Sequence, residues 1–242
     1  MISNCGSDEK GNYHGGKAGD QTGKEWTLKP WYNRPWKCVL RYKEDPDIGV
    51  MINNLAIQSA KNDKIGYDQW QRLTYWEQLQ KADYKPENIT QKCEADCSAG
   101  VMAIVKATGY RLNISELKAV KNNLVCRQMR SALKKAGFEV LTDSKYLVSE
   151  KHLQPGDILL NDTAHTAISV GSGKILTLPS KIVQPADKPK ENKQKMYTVV
   201  KGDSLWSIAV KFYGKGSQYK KIMEANGLTS DIIKVGQQLL IP

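Results

Sequence analysis

The sequence predicts an α+β domain followed by a smaller βααβ unit, on three observations. Apolar residues recur at helical spacing as far as Ala136, and from Phe138 the pattern shortens to that of strands. A Pro- and Lys-rich stretch at 181–196 has no apolar period and reads as a flexible linker with a reach of roughly 20 Å. A compact strand–helix–helix–strand pattern then fills the rest, so the chain divides into 1–180, 181–196 and 197–242.

Taken in order, residues 3–23 are Gly-rich and polar and read as loop, with Gly15-Gly16-Lys17-Ala18-Gly19-Asp20-Gln21 as a tight turn. The spacing fits neither GxGxxG nor the P-loop, so phosphate binding is not expected there. Trp31, Tyr32 and Trp36 precede a strand at Cys38–Arg41. Ile48, Met51, Ile52, Leu55 and Ala56 mark a helix across Asp47–Asn62, and Asp68 is placed to cap a second one through Lys81. Residues 83–93 connect to a helix from Cys97 to Gly109. A short helix opens at Asn113 or Ser115, and a further one spans Val125–Ala136 with Gly137 as its C-cap.

Strands are expected at Phe138–Leu141, Asp157–Leu160, His165–Val170 and Lys174–Leu178, the last two joined in a hairpin through Gly171-Ser172-Gly173. In 197–242 the pattern gives strand Tyr197–Val200, helix Ser204–Phe212 with Ser204 as N-cap, helix Tyr219–Asn226 and strand Gln238–Ile241. So short a unit depends on a thin core, assigned to Trp206, Ile208, Ala209, Ile222, Leu240 and Ile241.

The formal charge of +11 is spread as +5, +3 and +3 over 1–179, 180–196 and 197–242. It favours an anionic partner but not a dedicated nucleic-acid patch. Five cysteines, an odd number, read as reduced thiols rather than a disulfide framework. Met1-Ile2-Ser3-Asn4-Cys5 offers no charged n-region followed by an apolar run, and no window approaches the roughly 18 apolar residues of a membrane span. Cytoplasmic synthesis without a signal peptide and no membrane insertion are expected.

The chemistry centres on Glu94-Ala95-Asp96-Cys97-Ser98-Ala99-Gly100-Val101, which sets a cysteine at a helix start. Unpaired N–H groups there favour thiolate and lower a cysteine pKa from about 8.5 into the range of roughly 3.5 to 7.5. A nucleophilic cysteine needs a base and a group to orient the base. Of three histidines, His14 lies in the Gly-rich loop and His152 in a polar connector. His165 opens a strand whose same-face neighbours, Ala167 and Ser169, are small and leave room before the ring. A hairpin centred on Ser172 sets Thr177 diagonally across from His165 as the orienting group, with Asn161 and Asp162 as alternatives. A zinc site from His14 and Asp20, or from Cys93 and Cys97, has no HxH, HExxH or paired CxxC behind it, so neither metal nor other cofactor is expected.

The run ADCSAGV, with Pro155-Gly156-Asp157-Ile158-Leu159-Leu160 and His165-Thr166-Ala167-Ile168-Ser169-Val170-Gly171 downstream, resembles the NlpC-type cysteine peptidases of bacterial cell walls. The resemblance implies a papain-like domain of N-terminal helices packed on an antiparallel sheet, with Cys97 as nucleophile and His165 as base. The family's polar third residue falls at Thr177, and Tyr84 is the candidate for its upstream tyrosine. Such enzymes cut peptidoglycan stem peptides, often at γ-D-glutamyl linkages, or the muramoyl–L-alanine amide. Gly15–Trp36 resembles the N-terminal extension of phage and prophage lysins, which implies release to the wall at lysis. A wall-binding protein with a decayed active site is the non-enzyme alternative.

Residues 197–242 resemble a LysM module nearly end to end, from Tyr197-Thr198-Val199-Val200-Lys201-Gly202-Asp203-Ser204-Leu205-Trp206 to Val235-Gly236-Gln237-Gln238-Leu239-Leu240-Ile241-Pro242. The resemblance implies binding of N-acetylglucosamine-containing glycan. It places the groove between Gly202, Asp203, Ser204 and Leu205 on one side and Asn226, Gly227 and Leu228 with Ile233 on the other.

Overall fold

A computed structural model describes residues 1–178, 195–213, 216–228 and 230–241. The chain forms two compact units, Met1–Ala186 and Asp187–Pro242. In chain order the first contains β1 (Ile2–Cys5), β2 (Trp26–Lys29), β3 (Cys38–Tyr42), α1 (Pro46–Ala60), β4 (Ile65–Tyr67), α2 (Thr74–Lys81) and β5 (Cys93–Ala95). Then follow α3 (Cys97–Leu112), α4 (Ser115–Lys118), α5 (Cys126–Lys135), β6 (Phe138–Leu141), β7 (Ile158–Asn161) and β8 (His165–Ser169). Six strands form one sheet in the order β2-β1-β8-β7-β3-β6, every neighbouring pair antiparallel, while β4 and β5 form a separate parallel pair.

The helices cover one face of the large sheet. Leu40, Ile158, Leu160 and Ile168 point to Ile52, Leu55, Met102 and Ile104 on that side, while the alternate residues Val39, Leu159 and Ala167 join Ile2 and Trp36 on the other. Helix α3 is the buried hub, with twelve of its sixteen residues inside. Gly100 lets Trp26 lie against it: a Cβ at Gly100 would stand 2.8 Å from the Trp26 ring, whose Nε1 donates to Ser3 Oγ at 2.9 Å.

The four strands missed in the sequence are β1 and β2, in stretches whose polar and aromatic composition hid their period, and the three-residue β4 and β5, too short to show one. The expected strand at Lys174–Leu178 does not form. The β8 edge it was to fill is taken by β1, with Ile2 opposite Ser169 and Ser3 opposite Ile168. The 174–178 backbone instead meets α1, where Asn54 accepts from Leu176 N and donates to Leu176 O, both at 2.8 Å. Helix α2 also starts later than expected, because the Asp68 carboxylate accepts from Trp70 N and Gln71 N in a turn rather than capping the helix.

The second unit holds β9 (Lys195–Thr198), α6 (Leu205–Tyr213), α7 (Tyr219–Ala225) and β10 (Gln238–Ile241), with β9 and β10 antiparallel. Its core is Val199, Leu205, Ile208, Ala209, Ile222, Leu239 and Ile241. Two expectations are corrected here. Trp206 is 56% exposed, and strand alternation turns Leu239 rather than Leu240 inward. The expected linker falls outside the described residues as far as 194, and its last two positions, Lys195 and Met196, belong to β9.

Candidate active site

Strand β5 delivers Asp96 in an extended conformation at the mouth of α3. Its Oδ1 accepts from Ala99 N at 2.7 Å and Ser98 Oγ at 2.9 Å, an N-cap that fixes the first turn. Its Oδ2 pairs with Arg72 Nε at 3.1 Å, and Arg72 Nη2 ties Ser98 Oγ and Leu124 O to the same point. Cys97 is thus the first residue of a clamped helix, with its N–H among those lacking an intrahelical partner. The thiol is 8% exposed and opens on a groove of about 670 Å³ lined by Gln69, Trp70, Cys126, Arg127 and Thr163.

His165 comes to this thiol from the start of β8, close enough that its imidazole draws the Cys97 pKa down by hydrogen bonding and charge. Its Nε2 lies 2.8 Å from Asn4 Oδ1. Register explains the meeting. With Ser3 opposite Ile168, Asn4 comes opposite Ala167 and diagonal to His165 on one face of the β1–β8 pair. Tyr32 also donates to Asn4 Oδ1 at 2.8 Å. An amide oxygen only accepts, so in this amide orientation Nε2 carries the proton and Nδ1 is left as the basic nitrogen. Trp36, almost fully buried, stacks beside the imidazole at 6.1 Å between ring centres.

The thiol at rest differs from the expected thiolate. Cys126, the first residue of α5, has its sulfur 3.9 Å from that of Cys97. Hydrogen bonding to Cys126 is the main cause that pushes Cys97 well above the usual thiol range, with burial second. The same bond draws Cys126 below its usual value. Of the two, Cys126 is the more accessible and Cys97 the more deeply buried.

The expected neighbour of His165, Thr177, is not beside the ring; the side chain found there is Asn4. Thr177 is exposed, outside any strand, on the segment that runs along α1. Asn161 does sit opposite His165 across β7–β8, but its amide is bound to Pro35 O and Thr163, and Asp162 pairs with Arg130. Asn4 was legible only as one polar residue in a glycine-rich stretch. Tyr84 stacks on Tyr110, 4.3 Å between centres, whereas Tyr67 lies at the end of β4, where its OH accepts from Gln69 Nε2 at 3.1 Å. Asp157 of the Gly-Asp motif is held by Arg41 at 2.8 and 2.6 Å and anchors the turn into β7.

The zinc alternative finds no common place. His14 stacks on Trp70 at 4.3 Å, Asp20 accepts a run of backbone N–H groups from Thr22 to Trp26, and Cys93 faces Lys64 O. Among the described residues no three His, Cys, Asp or Glu side chains converge as metal ligands.

In the second unit, several expected glycan contacts have structural duties. Asp203 accepts from Val200 N and Tyr197 OH, which hold its carboxyl below the usual range. Ser204 and Ser207 cap α6 reciprocally, and Leu205 is core. Asn226 donates to Ile222 O and Leu240 O and accepts from Leu240 N, tying α7 to β10. Gly202 and Gly227 are exposed at positive φ, and Leu228 and Ile233 lie half-buried on the core.

Comparison with known proteins gives each unit a family. A model described as an endolysin-like domain matches residues 2–175, and a LysM domain matches 197–242. A 46-residue stretch is 52% identical to N-acetylmuramoyl-L-alanine amidase sle1 of Staphylococcus epidermidis, covering 19% of this chain and 13% of that protein. Stretches of 57 and 39 residues are 44% and 46% identical to an uncharacterized protein of Deinococcus radiodurans and to YqbP of Bacillus subtilis. They cover 23% and 16% of this chain and 22% and 18% of those proteins. The chain spans less than a quarter of the length of each of these curated relatives. No solved structure matches it. With the first match covering most of its length, the chain belongs to the endolysin-like domain family and carries a LysM domain behind it.

Proposed function

We propose that this chain is a peptidoglycan hydrolase of the NlpC, papain-like type, cutting an amide bond in the stem peptide by cysteine catalysis. The observation that carries the reading is the line from Cys97 through His165 to Asn4, a nucleophile, a base and an orienting group. In the reaction His165 Nδ1 takes the thiol proton as Cys97 Sγ attacks the carbonyl carbon. The Cys97 N–H, in the first turn of α3, holds the oxyanion. Collapse of the tetrahedral adduct breaks the C–N bond, and His165 protonates the leaving amine. Water activated by His165 then cleaves the thioester and regenerates the thiol.

The groove favours a γ-D-glutamyl linkage. That bond carries a free α-carboxylate three carbons from the scissile carbonyl, and Arg127 offers an exposed cation on the groove wall to receive it. Trp70, 74% exposed and backed by His14, supplies a flat apolar rim. The name of the Staphylococcus relative supports the muramoyl–L-alanine amide as a second reading with the same nucleophile. The LysM domain, bound to N-acetylglucosamine-containing glycan through the Gly202–Leu205 and Asn226–Leu228 turns and Ile233, raises the effective substrate concentration, to about millimolar for a short linker. In this reading 1–180 is catalytic, 181–196 is the linker, and the protein is a phage-type lysin acting at the wall.

The test is digestion of purified peptidoglycan by the full chain and by Cys97→Ala, with mass spectrometry of the fragments. New amino termini at one stem-peptide bond, lost in the variant while sedimentation with the wall persists, are expected. Full activity of Cys97→Ala would refute the cysteine mechanism.

A further inference from the structure

We propose that Cys97 and Cys126 form a reversible thiol–disulfide site that takes the candidate nucleophile out of action on oxidation and returns it intact on reduction. The two sulfurs lie 3.9 Å apart across a separation of 29 residues, and a disulfide needs about 2.05 Å. The gap of roughly 2 Å is within reach of side-chain rotation, because both cysteines stand at the first position of a helix and line the same groove. The mechanism above makes no use of Cys126. It is half-buried, whereas Cys5, Cys38 and Cys93 are sealed in the interior. Burial raises all three of those thiols. Cys5 and Cys93 instead face backbone carbonyls.

The chemistry follows from which sulfur an oxidant in the groove reaches first. Peroxide, the oxidant by class, is attacked by the accessible Cys126 thiolate; the O–O bond breaks, Cys126 becomes a sulfenic acid and water leaves with one further proton. The Cys97 sulfur then attacks that sulfur, the S–O bond breaks, and its proton leaves with hydroxide as a second water. Overall two thiols and one hydrogen peroxide give one disulfide and two waters. Attack beginning at Cys97 reaches the same disulfide, and an added dithiol reverses it by exchange. Without a neighbour, a sulfenic acid on Cys97 continues to sulfinic acid, which thiols do not reduce.

The pairing is a property of the two sulfurs; its effect on lysis rests on the hydrolase reading. The experiment exposes the reduced full chain to hydrogen peroxide, alkylates the remaining thiols and maps the peptides. The expected result is loss of labelling at two of the five cysteines, a linked pair of Cys97 and Cys126 peptides, and full recovery of labelling with dithiothreitol. In Cys126→Ser the same treatment should leave Cys97 carrying two added oxygens and refractory to dithiothreitol. Persistence of all five thiols, linkage of Cys97 to another cysteine, or equal recovery in Cys126→Ser would overturn the proposal. Mapping of the unsubstituted chain stands whether or not the variant folds. A linked chain that is inactive even when reduced would support the pairing and overturn the hydrolase reading instead.

Discussion

Asn4 and His165, 161 positions apart in the chain, meet with Asn4 Oδ1 2.8 Å from His165 Nε2. The bond selects the tautomer that leaves Nδ1 basic, so its loss removes a direction rather than a reactant. General base catalysis contributes about 10² to 10⁴, and Asn4→Ala should lower kcat on peptidoglycan by at least about 10-fold with KM little changed. Asn4→Gln should recover part of the rate. Thr177→Ala, on the exposed segment against α1, should leave kcat unchanged. Turbidity-clearing rates over a range of wall concentrations separate the three.

Cys126 is the largest cause that raises the Cys97 pKa. Cys126→Ala should therefore shift Cys97 downward and give more thiolate at any given pH. Iodoacetamide labelling of Cys97 followed against pH should show its rise at lower pH in the variant. An unmoved profile would mean that burial alone sets the value.

Glu94, 2% exposed, accepts from Gly19 N at 2.5 Å while its Oε2 has no hydrogen-bond partner. Burial first, then the charges of Glu25 and Asp68, push its carboxyl up to about 8 from an ordinary 4.5, against the pull of the Gly19 N–H. A carboxyl with the higher pKa in the folded state binds more protons folded than unfolded. Its contribution is therefore fully present below about 4.5 and declines as the pH rises through about 8. Glu94→Gln should flatten the fall in Tm over that window, as followed by thermal melts in matched buffers.

Gly100→Ala weighs two effects of opposite sign. Alanine inside a helix gains about 0.5–1 kcal/mol over glycine. Its Cβ, however, would meet the buried Trp26 ring at 2.8 Å, and overpacking costs about 1–3 kcal/mol. The clash wins, and the midpoint of urea unfolding should fall.

The Asn226 side chain makes two hydrogen bonds to Leu240 of β10 and a third to Ile222 O within α7. Asn226→Ala leaves Leu240 N–H and C=O without this partner, a loss of about 1–3 kcal/mol in a unit with a thin core. Wall binding should weaken through unfolding of the domain. Circular dichroism of the expressed LysM domain, alongside wall sedimentation, would show both changes together, whereas a direct glycan contact would weaken binding alone.

The sequence alone determined what is local. The helical period and the placing of Cys97 at a helix start depend on neighbours within a turn or two, and those neighbours are adjacent in the chain. So too does the LysM pattern, whose turns and caps fall where their residue types require. What only the tertiary structure decided is pairing at long range. Antiparallel strands do not announce their partners, and β1 displaced the expected hairpin strand from the edge of β8. That one substitution removed Thr177, installed Asn4, and set the imidazole's proton. The Cys97–Cys126 contact arose in the same way, from two helix starts that local period places correctly and only packing brings together.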